Sequence, residues 1–143
     1  MSWACKEGHL EIIGLLVERG TDINQEDNKS CTPCWYACQN GHLEIVRLLV
    51  ELGADINHAD NRDFTPCFIA CHNGSLDMAR LLVELGADIN KADSSSRTPC
   101  YIACHNAHLD VVHVLLDRGA NPLIKNWVSR VRVSKTSIVA AYE

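Results

Sequence analysis

Cysteine is the residue type whose number and spacing in this chain most suggest chemistry. The 143-residue sequence contains eight cysteines. Six of them form three pairs with a spacing of four residues: Cys34 and Cys38, Cys67 and Cys71, Cys100 and Cys104. Residues four apart share one face of a helix, so each pair would present two thiols together. Thiolates bind zinc and react with oxidants, which makes a metal site and a redox centre candidate functions.

Two histidines add a third candidate, a thiol nucleophile. His42 follows Cys38 by four residues, and His108 follows Cys104 by four residues. A neighbouring base activates a thiol for nucleophilic attack. The same arrangement recurs along the chain, however, whereas a catalytic site is normally built once. We therefore predict that the protein is not an enzyme and has no catalytic residues.

The cysteine pairs belong to a longer stretch that returns at a fixed interval. Thr32, Thr65 and Thr98 each start a copy that reads Thr-Pro-Cys, and they are 33 residues apart. Each copy closes on a Gly-Ala pair, at Gly53, Gly86 and Gly119. Self-similarity with a period of 20 to 50 residues predicts a repeat solenoid.

Local signals predict two helices in each copy. Thr32 is a good N-cap, and Pro33 suits the first helical position, where no amide donor is needed. A first helix to about Gln39 and a second from about His42 to Leu52 are expected on either side of an Asn-Gly turn. Gly53 would supply the left-handed residue that ends the second helix.

The period of 33 and the Thr-Pro start resemble the ankyrin-repeat family, and this resemblance covers residues 1–125. It implies an all-α repeat solenoid of about four repeats with truncated ends, in which each helix-turn-helix unit is followed by a finger hairpin. The incomplete first unit favours a chain cut from a longer protein. We assign a partial first repeat to 1–24, full repeats to 25–57, 58–90 and 91–123, and an enlarged finger with a capping or truncated fifth repeat to 124–143.

The cysteine pairs occupy positions where the family usually has leucine and a small alanine, so we predict that they are buried core residues. Packed helices stand about 10 Å apart, which is too far for stacked thiols to share one tetrahedral ion. We therefore predict no metal site and no cofactor, with a cysteine-based redox or metal module as a less favoured alternative. The family's histidine is replaced by aromatic residues whose packing should substitute for its hydrogen bonds: Trp35, Phe68 and Tyr101.

The fingers also depart from the family pattern. The position of the usual finger glycine holds Ser30, Asp63 and Ser96, so we expect these turns to be slightly strained or reshaped. Cys31 lies in a finger and is predicted to be exposed, which makes it the best candidate for a reactive thiol. The resemblance implies that three asparagines hydrogen-bond the turn between helix and finger: Asn24, Asn57 and Asn90. They also match a position that is hydroxylated in some family members.

Charge and composition restrict the partners. The net charge is −5, although the stretch from position 122 onward has four basic residues and one acidic residue. An acidic solenoid argues against nucleic acid as a partner, because phosphate binding needs a basic stripe. Apolar runs are too short to cross a membrane, and no signal peptide is visible. Eight cysteines without that signal suggest reduced thiols in the cytoplasm or nucleus.

The resemblance to ankyrin repeats implies an adaptor or scaffold that holds another protein in a concave groove formed by the fingers and first helices. We expect the chain to act as a monomer. Residues at the family's variable finger and first-helix positions are the predicted partner-binding residues: Lys29, Gln39, Arg62, Phe64, His72, Asn73, Arg97 and His105. The alternative is a structural spacer segment of a larger signalling or enzymatic protein.

Overall fold

The computed structural model describes residues 1–121, which form eight helices arranged as four helix pairs. No strand is assigned within this range. Our predictions for 124–143 lie outside the described residues. The helices are α1 (Ser2–Glu7), α2 (Leu10–Glu18), α3 (Pro33–Gln39), α4 (Leu43–Glu51), α5 (Pro66–His72), α6 (Leu76–Glu84), α7 (Pro99–His105) and α8 (Leu109–Asp117).

Helices α3, α5 and α7 begin in the predicted way. Thr32 has extended backbone angles, and its hydroxyl accepts a hydrogen bond of 3.2 Å from the Trp35 N–H. Thr65 and Thr98 cap α5 and α7 in the same manner. The following proline takes the first helical position, where its missing N–H is not needed. The Thr-Pro pair thus fixes the start of these three first helices.

The second helix of each of these repeats ends in a Schellman motif. Gly53 has a φ of 94°, and its N–H donates to the Val50 carbonyl while the Ala54 N–H donates to the Leu49 carbonyl. The same pair of bonds closes α6 at Gly86 and α8 at Gly119. A left-handed residue at this position satisfies carbonyls that the helix leaves free. The predicted helix from His42 to Leu52 is confirmed, with those two residues as its caps.

The helices form two layers with the core between them. Helices α1, α3, α5 and α7 pack side by side, and each also packs against its own second helix. Fully buried side chains from both layers form one continuous cluster, with Cys34 and Ala37 from α3 and Val46 and Leu49 from α4. Each unit buries its apolar face on its neighbours, as expected for a repeat solenoid.

Side chains also connect successive repeats. The Asn24 Oδ1 accepts a hydrogen bond of 2.9 Å from the Asp55 N–H, and Asn57 accepts one of 2.8 Å from the Asp88 N–H. Asn90 makes the equivalent bond to Asn121. These asparagines do bind the turn between helix and finger, but the turn belongs to the next repeat. These three hydrogen bonds therefore fix the register of neighbouring repeats.

Candidate protein-interaction surface

Each finger is a tight five-residue hairpin. In the second repeat the Asp27 N–H donates to the Cys31 carbonyl over 3.1 Å, and the Ser30 N–H donates to the Asp27 carbonyl over 3.0 Å. Equivalent bonds close the fingers 60–64 and 93–97. The fourth residue is left-handed in all three, with φ of 57° at Ser30, 62° at Asp63 and 59° at Ser96. The prediction of strained backbone at the missing glycine is therefore confirmed.

An aspartate at the start of each finger organises the hairpin. The Asp60 Oδ1 accepts the backbone N–H groups of Arg62 and Phe64, each over 2.9 Å. Asp27 and Asp93 accept the corresponding pairs in their own fingers. We did not predict this role from the sequence, although the three aspartates recur every 33 residues, each three positions before the left-handed residue. This fixed spacing was the feature of the sequence that could have revealed the role of the aspartates.

The second oxygen of the aspartate holds a side chain that projects outward. The Asp60 Oδ2 accepts from the Arg62 Nε at 3.1 Å and Nη2 at 2.7 Å, and the Asp93 Oδ2 accepts from the Arg97 Nε at 2.7 Å. The two carboxylates are 1% and 0% exposed, whereas the arginine side chains are 59% and 37% exposed. Both guanidinium groups are thus fixed from beneath and open to solvent above.

The first finger uses a different partner. The Tyr36 hydroxyl donates to the Asp27 Oδ2 over 2.6 Å. This hydrogen bond lowers the pKa of Asp27 and raises the pKa of Tyr36, because it stabilises the ionised carboxylate and the protonated phenol. The first finger therefore has no arginine on its carboxylate, and the arginine-bearing fingers are the second and third.

Phe64 connects those two fingers. Its ring stacks on Phe68, with centroids 4.5 Å apart and an interplanar angle of 13°. The Arg62 Cζ lies 4.4 Å from the Phe64 centroid, and the Arg97 Cζ lies 5.8 Å from it. The Trp35 Nε1–H also donates to the Phe64 carbonyl over 2.8 Å, a bond between repeats that we did not predict. Three predicted partner-binding residues, Arg62, Phe64 and Arg97, therefore form one cluster.

Four more of the predicted residues lie at the carboxyl ends of the first helices. Gln39, His72, Asn73 and His105 are all exposed. The Asn73 side-chain amide donates to the Gln39 carbonyl over 3.3 Å, and the Asn106 amide donates to the His72 carbonyl over 2.9 Å. Lys29, the eighth predicted residue, is exposed near the tip of the first finger. We call the exposed side of the three fingers together with these helix ends the finger face.

Comparison with known protein families identifies the family of this chain. The family model described as ankyrin repeats (3 copies) matches residues 1–60 and 57–126. This chain belongs to the ankyrin-repeat family. The match covers ankyrin repeats alone, and no enzymatic domain is detected. No curated protein matches the chain. The boundaries that we assigned to the individual repeats remain a prediction.

Cys31 corrects one expectation for this ankyrin-repeat chain. We predicted an exposed, reactive thiol, but the residue is 2% exposed and packs with Trp35 and Ile69 under the fingers. Burial, together with the negative charges of Asp27 and Asp60, raises the pKa of the Cys31 thiol. The prediction was wrong because the hairpin folds its last side chain back onto Trp35, an arrangement that spacing alone does not reveal.

The seven helical cysteines of this ankyrin-repeat chain are buried and free. Burial raises the pKa of Cys5 to about 11 and raises that of Cys38, where a hydrogen bond with Cys34 adds to the effect. A hydrogen bond with Cys67, and burial, likewise raise the pKa of Cys71. The raised pKa values keep Cys5, Cys38 and Cys71 protonated near neutral pH. The hydrogen bond between Cys100 and Cys104 raises the pKa of Cys100 and lowers the pKa of Cys104. All seven side chains fill the core. Within residues 1–121, no group of three or more potential ligands is placed to hold a metal ion.

The histidines that follow two of the cysteine pairs have a structural partner. The His42 Nε2 lies 2.9 Å from the Lys6 carbonyl, and the His108 Nε2 lies 3.1 Å from the His72 carbonyl. Both rings therefore bridge to the preceding ankyrin repeat.

Among the described helices, none is long and apolar enough to cross a membrane.

Proposed function

We propose that this ankyrin-repeat chain is a non-enzymatic interaction module, an adaptor or scaffold, that binds another protein through the finger face. Ankyrin repeats generally serve in protein–protein interaction. The observation that carries the assignment to this face is the cluster of Arg62, Phe64 and Arg97. Arginine is among the types most enriched in the residues that dominate binding energy, and phenylalanine is enriched in interfaces as a whole.

The cluster is already ordered in the absence of a partner. Each arginine is held by a buried carboxylate, and Phe64 is stacked on Phe68. Ordering a long side chain at an interface costs about 0.5–1.5 kcal/mol, and side chains fixed in advance avoid much of that cost. A backbone hydrogen bond also joins the first and second fingers, because the Asn61 N–H donates to the Lys29 carbonyl over 3.0 Å. A partner would therefore meet a preorganised surface.

The helix ends supply the polar surround of this cluster. The His72 Nδ1 lies 3.2 Å from the Asn73 Oδ1, and the His105 Nδ1 lies 3.0 Å from the Asn106 Oδ1. These exposed groups can exchange water for a partner's polar atoms at little cost in conformational freedom. A central aromatic and arginine cluster with a polar border is the general anatomy of a specific interface.

The proposal is tested by capture of partners from a cell lysate. One bait is the wild-type chain, and a second carries alanine at Arg62, Phe64, His72 and Arg97. We call α2, α4, α6 and α8 the outer helices. A third, matched bait carries alanine at four exposed positions of these helices: Glu44, Arg47, Asp77 and Arg80. Circular dichroism and thermal unfolding establish that each bait is folded.

We expect the main bound protein to be lost from the finger-face variant and kept by the outer-helix variant. Loss from the outer-helix variant alone would place the interface on the opposite side and contradict the proposal. If no bait retains a specific protein, the alternative function as a spacer in a larger protein is favoured instead.

A further inference from the structure

The two helix layers differ sharply in charge. Helices α3, α5 and α7 contain no acidic residue and α1 contains one acidic and one basic residue, whereas each of α2, α4, α6 and α8 contains two acidic residues. All eight of these outer carboxylates are exposed: Glu11, Glu18, Glu44, Glu51, Asp77, Glu84, Asp110 and Asp117. The acidic character of the chain is therefore concentrated away from the first helices.

The finger face has the opposite balance. Its exposed or half-exposed cationic side chains are Lys29, Arg62 and Arg97. Its exposed or half-exposed carboxylates within residues 1–121 are Asp63 and Asp27, and Asp27 accepts a hydrogen bond from Tyr36. The counter-charges of the two arginines are buried below them, at Asp60 and Asp93. A partner that approaches the finger face thus meets guanidinium groups first.

Those guanidinium groups keep donors for a partner. Arginine has five N–H groups, and Arg62 uses its Nε and Nη2 on Asp60, which leaves its Nη1 without a partner among residues 1–121. Arg97 is held through its Nε and Nη2 on Asp93 and likewise keeps its Nη1. Both Cζ atoms lie within 6 Å of the Phe64 centroid. Two sets of charge-assisted donors therefore flank one apolar ring.

We infer that the partner presents an acidic peptide segment, whose carboxylates pair with Arg62 and Arg97 beside the Phe64 ring. This inference rests on the proposed function and specifies the chemistry of the partner. Arginine suits carboxylate because its planar fork matches the two oxygens. A nucleic acid is a poorer fit, because its long polyanion would also meet the field of the acidic outer helices, whereas a short segment contacts the finger face alone.

A selection from a library of short random peptides displayed on phage tests this inference. The wild-type chain is compared with an R62Q/R97Q variant, which removes two positive charges from the finger face. An R47Q/R80Q variant removes the same charge from the outer helices and is the matched control. Because R62Q/R97Q leaves Asp60 and Asp93 without their partners, an R62K/R97K variant that keeps the charges accompanies it, and each variant is checked for folding.

We expect peptides recovered by the wild type, by R47Q/R80Q and by R62K/R97K to be enriched in aspartate and glutamate. R62Q/R97Q should lose that enrichment and bind the selected peptides about tenfold more weakly. The affinity of the wild type should also fall as the ionic strength rises.

Three outcomes would overturn parts of the account separately. Recovered peptides without acidic enrichment, or enrichment that survives in R62Q/R97Q, would overturn the inference and leave the proposed function intact. Tighter binding of a labelled single-stranded DNA than of any selected peptide would replace the acidic peptide by a nucleic acid. Recovery of no specific peptide by any variant would also overturn the inference, because the inference requires a peptide segment, whereas the lysate capture decides on the proposed function itself.

Discussion

Asp60 illustrates how one side chain shapes a binding surface. One of its oxygens accepts two backbone N–H groups and so closes the finger, while the other holds Arg62 against the Phe64 ring. The carboxylate is buried, and these donors replace the water that it loses. The same residue therefore sets both the backbone of the hairpin and the position of the arginine that a partner would meet.

We predict that Asp60→Ala lowers the free energy of unfolding by about 2–4 kcal/mol, because it leaves two N–H groups and a guanidinium without their acceptor. Urea unfolding followed by circular dichroism measures the change. Asp77→Ala, at an exposed position of α6, is the control and should cost less than about 0.5 kcal/mol. Equal losses for the two variants would contradict the role assigned to Asp60.

The left-handed serines of the fingers are a second test at this scale. Ser30 and Ser96 have φ of 57° and 59°, where an L-residue is disfavoured by about 1 kcal/mol relative to glycine. We predict that Ser30→Gly and Ser96→Gly each raise the free energy of unfolding by up to about 1 kcal/mol. Asp63→Gly should gain less, because aspartate tolerates this conformation better than serine. A loss of stability in both serine variants would show that their side chains matter more than the backbone.

The left-handed finger positions could be predicted from the sequence, because their place in the 33-residue period identifies them. Ser30, Asp63 and Ser96 were identified because they occupy the glycine position of the repeat. Cys31 was predicted wrongly, because its burial depends on how the finger closes over Trp35 in three dimensions. The position of a residue within the repeat can be read from the sequence. Whether a loop side chain is buried or exposed depends instead on its tertiary contacts.

At the scale of elements, a glycine and a histidine from adjacent repeats determine how closely the units pack. A Cβ built on Gly74 would lie 2.4 Å from the His108 ring, and one built on Gly8 would lie 2.8 Å from the His42 ring. Ser75 takes the histidine position in the third repeat, and a Cβ on Gly41 would meet nothing within 4 Å. Glycine is therefore required sterically only where a histidine from the next repeat covers it.

We predict that Gly74→Ala costs about 1–3 kcal/mol more than Gly41→Ala in the free energy of unfolding. Both glycines have positive φ, so the strain of the backbone is similar and the difference reports the clash with His108. In a His108→Ser background the excess cost should largely disappear, which a double-mutant cycle measures. An unchanged excess in that background would show that the histidine is not the obstacle.

The starts of α3, α5 and α7 and the ends of α4, α6 and α8 were predictable, since Thr-Pro and Gly-Ala pairs specify them within a single repeat. The contact between His108 and Gly74 was not, because it joins residues 34 positions apart and requires the stacking geometry of two units. Asp27, Asp60 and Asp93 were missed for a related reason. Their periodicity was visible, but their hydrogen bonds depend on the folded hairpin.

At the scale of the whole molecule, the buried thiols link stability to pH. Burial raises the pKa of Cys5 to about 11, and the pKa values of Cys38, Cys71 and Cys100 are also raised. The pKa of Cys104 is lowered by its hydrogen bond with Cys100, so the raised thiols outnumber the lowered one. In the unfolded chain a thiol titrates at about pH 8.5. Above that pH the unfolded chain releases protons that the folded chain keeps, so the free energy of unfolding must fall as the pH rises.

We predict that the free energy of unfolding is lower at about pH 9.5 than at about pH 7.5, and that this decrease is smaller in a Cys38→Ala/Cys71→Ala variant. Alanine is the usual family residue at these two positions, which makes the variant a reasonable control. Denaturant unfolding at each pH provides the measurement. An equal decrease in wild type and variant would mean that other groups carry the alkaline sensitivity.

The fold of residues 1–121 was predictable because a period of 33 residues identifies the family, and the family model confirms the family. The partner was not predictable, since ankyrin repeats share a scaffold and differ in the residues on their surfaces. What the structure adds is the joint position of Arg62, Phe64 and Arg97, which come from two different repeats.

Hydrogen–deuterium exchange of the chain, alone and bound to the captured partner, tests most directly whether the finger face is the binding surface. We predict slower exchange in the bound state at the fingers 27–31, 60–64 and 93–97 and at the carboxyl ends of α3, α5 and α7. Protection confined to α2, α4, α6 and α8, with the fingers unchanged, would contradict the account.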